Sequence, residues 1–179
     1  MALPPYERGM TRHPIRDVPR GLRLSERSIA VAPEAGDAVR ALIRSWEFKR
    51  RAGFDGPAAA PREGQEGALS TGVLGVRFVE PIRVVWADEH GFGYETRPGH
   101  PVYGEESFVL ESGVFTARSL SRPSTLRWRL LSPALRFLQH RTHARYTRIV
   151  ADEARAALDG VSHTPPRRGR VGVRPGNPA

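Results

Sequence analysis

The sequence predicts an α+β domain in which a curved antiparallel sheet of about six strands wraps around a long C-terminal helix. Three observations support this prediction. Several segments alternate apolar and polar residues with the period of two that is typical of half-buried strands. Short turn signals join these segments, which favours antiparallel pairing of neighbours. The last apolar stripe of the chain follows helical spacing instead.

The 179 residues are most simply one domain with a tail at each end. Residues 1–27 are rich in Arg and Pro and predict an irregular N-terminal arm. Residues 28–158 carry the periodic segments and predict the single α+β domain. Residues 159–179 have too little apolar content to offset the entropy of ordering, which predicts a disordered basic tail.

The first part of the domain predicts a strand, a helix and a loop. A short strand covers residues 28–32, and the helix begins at Pro33 and ends near Gly53. The basic run 49–51 lies in the last turn of this helix, where cations complement the helix dipole, so we interpret the run as structural. Residues 54–67 are rich in Gly, Pro and Ala and predict a loop, which is a candidate lid. The apolar helix face consists of Val39, Leu42, Ile43 and Trp46.

The middle of the chain predicts the sheet. Strands 69–78 and 82–87 are separated by Glu80-Pro81, because proline interrupts a strand ladder. A three-stranded meander follows between Gly91 and Pro123, with a tight turn at Glu111-Ser-Gly.

The long helix begins at Ser132-Pro133, a good N-cap followed by proline at the first helical position, and it frays after Ala157. A short helical segment precedes it after Pro123. The inward stripe is predicted to be Leu135, Leu138, Thr142, Tyr146 and Ile149.

The composition excludes several kinds of chemistry. With no cysteine, the chain has neither a disulfide framework nor a thiolate metal site. We find no cofactor motif and expect no cofactor. The first residues lack the apolar run of a signal peptide and no segment approaches the length of a membrane span, so we expect a cytoplasmic protein without a transmembrane segment.

The basic charge suggests a polyanionic partner at first sight. The net charge is +9 and the isoelectric point is near 11.1, values that fit a nucleic-acid or anionic-lipid partner. Lys49 is the only lysine, however, and an excess made of arginine also arises from codon bias in a GC-rich genome. We therefore do not expect nucleic-acid binding, because clustered charge alone is a common false positive. An Arg-rich adaptor for nucleic acid or acidic protein is kept as the third hypothesis.

The residues best suited to chemistry lie in the meander. His100 lies in a Gly-His-Pro turn, close along the chain to Glu105 and Glu106, so an acid–base pair or a His-carboxylate metal site can be drawn. A metal site needs three convergent ligands that the spacing does not supply, so we predict none. The alternative is that His100 simply caps its turn. Only one of the two glutamates can face inward, and it needs a cationic partner, for which Arg122 and Arg83 are candidates.

Aromatic residues at strand and helix spacing indicate either a ligand cavity or an ordinary core, and an ordinary core is the more frequent case. If there is a cavity, polar groups near its rim would orient the ligand. The predicted ligand-binding set is Trp86, Tyr94, Glu95, His100, Glu106, Arg122 and Tyr146.

The order of elements resembles the helix-grip fold of the START-like superfamily, whose members hold hydrophobic ligands between sheet and helix. A closer resemblance rests on seven segments: Tyr6 to Thr11, Pro81-Ile-Arg-Val-Val, Gly91-Phe-Gly-Tyr, Pro98-Gly-His-Pro, Gly104-Glu-Glu-Ser-Phe, Ser121-Arg-Pro and Gln139 to Tyr146. On these segments the chain, from Tyr6 to about Ile149, resembles the family of domains of unknown function numbered nineteen-ninety (DUF1990). That resemblance implies no established activity.

The leading hypothesis is therefore a non-enzymatic binding domain for a small hydrophobic or amphipathic ligand, held between sheet and helix. The second hypothesis is a cyclase- or hydrolase-like enzyme in which His100 and Glu106 transfer protons in the same cavity. An enzyme is the less favoured of the two, and the oligomeric state is left open.

Overall fold

A seven-stranded antiparallel sheet and a long C-terminal helix make up most of the computed structural model, which describes residues 6–73 and 76–162. The strands are β1 Arg23–Ala30, β2 Phe54–Asp55, β3 Glu66–Val73, β4 Val76–Asp88, β5 Gly91–Thr96, β6 Val102–Glu111 and β7 Val114–Pro123. Their order in the sheet is β1-β7-β6-β5-β4-β3-β2. The predicted α+β architecture, a curved sheet around a C-terminal helix, is confirmed. The sheet has one strand more than the six that the sequence predicted.

The described residues also form two short 3-10 helices and four α-helices: Met10–Arg12, Pro33–Ala35, α1 Gly36–Ile43, α2 Glu47–Arg51, α3 Leu126–Leu130 and α4 Ser132–Ser162. The long helix begins at the predicted Ser132 but continues beyond the predicted fraying point at Ala157. Residues 163–179 of the predicted tail lie outside the described residues. No helix in the described ranges is both long and apolar enough to cross a lipid bilayer.

The predicted helix after Pro33 is divided into α1 and α2 at Trp46, which has a left-handed φ of 58°. In an unbroken helix, Trp46 and Phe48 would point in nearly opposite directions, since neighbours on one face are three or four residues apart. The break lets both rings enter the core, where Trp46 packs on Phe92 and Phe48 on Phe108, each with ring centroids 4.5 Å apart. Burial of both rings accounts for the break.

The strand boundaries correct two predictions. β1 pairs with β7 from Arg23 onward, so the last part of the predicted arm belongs to the sheet. Pro81 does not divide a strand, because β4 runs through it. The Pro81 carbonyl accepts from the Arg97 N–H, so the position where proline lacks an N–H faces the same side of the strand. On that side the pairing with β5 has already ended at Thr96, so proline removes no hydrogen bond between paired residues.

Other parts of the chain pack on both faces of the sheet. Its inner face packs on α1, α2 and α4 through an aromatic and aliphatic core. Its outer face is covered in part by the N-terminal arm. There the buried Glu105 carboxylate accepts from the backbone N–H groups of Gly9 and Thr11 at 2.8 and 3.1 Å, and Arg118 donates to the Thr11 carbonyl. Satisfied polar groups thus hold the arm to the sheet.

The inward stripe of α4 lies further along the helix than predicted. Leu138, predicted to face inward, is 40% exposed, and Leu135 is half-buried. The aromatic core meets α4 only from His143 onward, so the first turns of α4 have no comparable apolar layer to pack on. Between Ser132 and Gly160, the buried positions of α4 are His143, Tyr146, Thr147 and Val150.

Gly104 allows β6 and β7 to approach closely. Its φ is 152°, and a Cβ atom there would lie 2.0 Å from the Leu120 carbonyl oxygen. We predict that Gly104→Ala lowers the free energy of unfolding by roughly 2–4 kcal/mol in urea denaturation. Gly72→Ala in β3 is the matched control, because no atom lies within 4 Å of its Cβ position. Equal stability of the two variants would contradict this account of Gly104.

Candidate functional site

A buried lysine lies at the centre of a polar cluster on the inner face. The Lys49 side chain is 1% exposed, and its Nζ donates to Glu106 Oε2 at 2.8 Å, to the Tyr94 hydroxyl at 2.7 Å and to the Tyr146 hydroxyl at 2.6 Å. These three bonds use all the donors of the ammonium group. Lys49 does lie in the last turn of α2, as predicted, but its side chain points into the core instead of complementing the helix end.

Four elements bring this cluster together. Tyr94 of β5 and Glu106 of β6 are directly opposite each other in the sheet, and the tyrosine hydroxyl donates to the carboxylate. Tyr146 and His143 lie one turn apart on α4 and therefore share its inward face. Lys49 arrives from α2, after the break at Trp46 has redirected the chain. The cluster thus joins both layers of the fold.

The Glu106 carboxylate is ionised and fully paired. His143 Nε2 lies 3.2 Å from Glu106 Oε1, and Ser25 Oγ lies 3.5 Å from the other ring nitrogen of His143. Burial by itself would raise the pKa of Glu106, but the Lys49 charge and the His143 hydrogen bond outweigh it and hold that pKa well below its usual range. Burial lowers the pKa of Lys49, and the charge of Glu106 opposes this shift.

A second carboxylate lies nearby. Glu80 Oε2, on β4, is 3.6 Å from His100 Nε2, and His100 Nδ1 accepts from the Val102 N–H at 3.1 Å. The Nδ1 acceptor role places the proton of neutral His100 on Nε2, facing the carboxylate. Burial raises the pKa of Glu80 to about 7, and burial lowers the pKa of His100 to about 4. Near neutral pH, therefore, His100 is uncharged and Glu80 exchanges its proton readily.

An accessible space borders the two carboxylates. Glu80 and Glu106 keep 19% and 16% of their side-chain surface accessible, although Lys49, His100 and His143 around them are almost fully buried. Small residues face α4 on the adjoining inner face of β6 and β7, and Gln139 of α4 donates to one of them, Ser119, at 2.7 Å. These small residues are Gly104, Ser119 and Ser121.

The structure brings four residues of the predicted ligand-binding set to this region. Tyr94, Glu106 and Tyr146 are linked through Lys49, and His100 lies beside Glu80. His100 and Glu106 share no hydrogen bond in the described part of the chain: each contacts a different acidic or basic partner. The inward glutamate is Glu106, and its cationic partner is Lys49 rather than Arg122 or Arg83.

The other three predicted residues lie on the outer face. Glu95 follows Tyr94 and so points to the opposite side, where it pairs with Arg8 at 2.9 Å. A bulge between Val84 and Trp86 reverses the expected direction of Trp86, which stacks against Arg12 at 5.2 Å. Arg122 stacks on its cross-strand partner Tyr103 at 5.4 Å. These three side chains are separated from the inner cluster by the sheet itself.

Sequence reasoning missed Lys49, Glu80 and His143 as members of the cluster. One signal for Lys49 was available, since it is the only lysine among 28 basic residues. Glu80 was hidden by the proline after it, which suggested a break in the strand. Among residues 6–73 and 76–162, no three histidine or acidic side chains converge as a metal site.

Ionisation of Glu80 should reduce stability as the pH rises. The pKa of Glu80 in the folded protein is about 7, above the reference value of 4.5. The protonated side chain therefore stabilises the folded state fully below about pH 4.5, and this stabilisation is lost as the pH rises through 7. We predict that the difference in unfolding free energy between Glu80→Gln and the natural chain changes with pH. From pH 4.5 to pH 8 it should shift by roughly 2–3 kcal/mol in favour of the variant. Glu89→Gln, in an exposed surface turn, is the control. A Glu80→Gln difference that stays constant with pH would contradict the assignment.

Comparison with known proteins identifies the family and the fold. The family model for the domain of unknown function DUF1990 matches residues 6–149, and no curated protein matches the chain. Among solved structures, major latex-like protein 151 from Panax ginseng is similar, with a TM-score of 0.53 and 14% identity over 74% of this chain and 97% of that one. The Zhui aromatase/cyclase from Streptomyces sp. R1128 has a TM-score of 0.55 and 15% identity over 80% of this chain and 99% of that one. The sheet and helix are those of the helix-grip, START-like fold, and with its family match over most of the chain this protein belongs to the DUF1990 family.

Proposed function

We propose that the protein binds a small amphipathic molecule in the space between the inner face of the sheet and the first half of α4. The observation that carries this proposal is the accessible surface of Glu80 and Glu106 inside an otherwise buried cluster. Glu106 is already satisfied by Lys49, Tyr94 and His143. Glu80, however, whose carboxylate lies 3.6 Å from His100 Nε2, needs a further hydrogen-bond donor from water or a ligand when it is ionised. Small polar pockets that open into an apolar region are typical of ligand sites.

The charges of the cluster favour one kind of polar group on the ligand. Lys49 has no donor left, because Glu106 and two tyrosine hydroxyls occupy its three hydrogens. The side chains of the cluster that keep accessible surface are instead those of Glu106 and Glu80. A ligand that donates hydrogen bonds, such as an alcohol or an amine, therefore suits the site better than a carboxylate or phosphate.

Apolar side chains flank Glu80 on the inner face of β4. Phe78, Glu80 and Ile82 alternate with outward residues and so share the inner face of β4. Ile82 is buried in the core, whereas Phe78 is half-buried and packs on Trp128 of α3 with ring centroids 6.3 Å apart. The apolar part of the ligand would lie along this side, beneath α3 and the first turns of α4.

The comparisons support the same location. Members of the START-like superfamily, which the chain resembles, hold hydrophobic ligands between sheet and helix. The Zhui protein is an aromatase/cyclase, but likeness in fold at 15% identity carries no activity to this chain. An acid–base mechanism through His100 and Glu106 is not favoured, because the two side chains have separate partners.

The proposal is tested with the full chain and the fluorescent amine 1-aminoanthracene. We predict saturable binding, displaced by 1-dodecanol at least about tenfold more effectively than by dodecanoate, since the carboxylates disfavour a second anion. Ser121→Trp places a large ring on the inner face of β7, opposite the first turns of α4, and should lower probe affinity at least about tenfold.

Ser28→Trp is the matched control, because Ser28 is exposed on β1. Circular dichroism checks that both variants fold. Absence of probe binding, or equal affinity of the Ser121→Trp variant and the natural chain, would refute the proposed site.

A further inference from the structure

An exposed apolar patch covers α3 and the first turns of α4. It contains five of the eight large exposed apolar side chains among the described residues, with exposures between 40% and 78%. Its members, called the α3–α4 patch below, are Leu126, Leu130, Leu131, Phe137 and Leu138. Exposed apolar side chains concentrated on two consecutive helices mark an interaction site more often than single exposed leucines do.

Four arginines on the same two helices have no acidic partner in the described part of the chain. Arg127, Arg129, Arg136 and Arg141 are all exposed. The chain has no acidic residue between Ser112 and Ala151, and none of the four arginines forms an ion pair within the described ranges. Arg141 stacks over the Phe137 ring at 5.6 Å. The surface is therefore apolar and positively charged at once.

We propose that the α3–α4 patch docks on the surface of an anionic lipid bilayer. Leucine and phenylalanine side chains would enter the boundary between headgroups and acyl chains, and the arginines would bind the lipid phosphates beside them. Arginine suits this position because its stem packs on apolar surface while the guanidinium stays at the headgroup level.

Other binding partners would match only the charge or only the apolar side chains of this surface. A second copy of the chain placed symmetrically on the patch would bring like-charged arginines together without acidic partners. A nucleic acid would pair with the arginines but would leave the leucines exposed to water. An anionic bilayer matches both the charge and the apolar side chains. The α3–α4 patch contains no residue of the proposed ligand site, so lipid binding and ligand binding can be tested independently of each other.

The test is flotation of the full chain with vesicles. We expect binding to vesicles of phosphatidylcholine mixed with phosphatidylserine, and at least about tenfold weaker binding to phosphatidylcholine alone. The double variant Leu130→Ser/Phe137→Ser should bind the anionic vesicles at least about tenfold more weakly, because it removes apolar surface without changing charge. Arg127→Gln/Arg129→Gln should lose most of the preference for the anionic lipid.

Val114→Ser is the matched control, because Val114 is 40% exposed at the end of β7 furthest from α3, and it should bind as the natural chain does. Three results would overturn the inference: no binding of the natural chain to anionic vesicles, equal binding of Leu130→Ser/Phe137→Ser, or a dimer in light scattering that this double variant dissociates. Unchanged binding of the double variant would mean that charge elsewhere on the chain causes the attraction.

Discussion

The ion pair between Lys49 and Glu106 is the constraint on which the fold and the candidate site both depend. A buried ammonium and carboxylate each lose several kcal/mol of hydration, so they are tolerated only with complete hydrogen bonding. Tyr94, Tyr146 and His143 supply the remaining bonds, and they come from β5 and α4. The pair therefore fixes where α2 and α4 meet the sheet, in addition to the non-directional packing of the aromatic core.

The same cluster divides the space between sheet and helices into two regions. On one side, rings such as Trp46, Phe48 and Phe92 fill the interior. On the other side, small residues of β6 and β7 face the first turns of α4, and the carboxylates retain accessible surface. Because α4 has little core to pack on before His143, its first turns expose apolar side chains. The proposed ligand site and the α3–α4 patch are two consequences of this division.

Local sequence signals predicted the sheet and the long helix well. The turn before β7 has positive φ at Ser112 and Gly113, the geometry that a tight hairpin favours, and Ser132-Pro133 begins α4 as expected. The candidate site was harder to predict, because side-chain direction there depends on irregularities that periodicity cannot show. The bulge at Val84/Trp86 turned Trp86 outward, and the helix break at Trp46 turned Lys49 inward. On the regular strands β5 and β6, alternation predicted that only one of Glu105 and Glu106 faces inward, and the structure shows that it is Glu106, directly opposite Tyr94.

A double-mutant cycle on Lys49 and Glu106, measured by urea denaturation, tests the central claim most directly. Lys49→Met leaves a buried carboxylate without its cation and should cost on the order of 3 kcal/mol, and Glu106→Leu should cost a similar amount by isolating the ammonium. The account predicts that the double variant is far less destabilised than the sum, with a coupling of about 1–3 kcal/mol. Additive effects, with a coupling below about 0.5 kcal/mol, would contradict it.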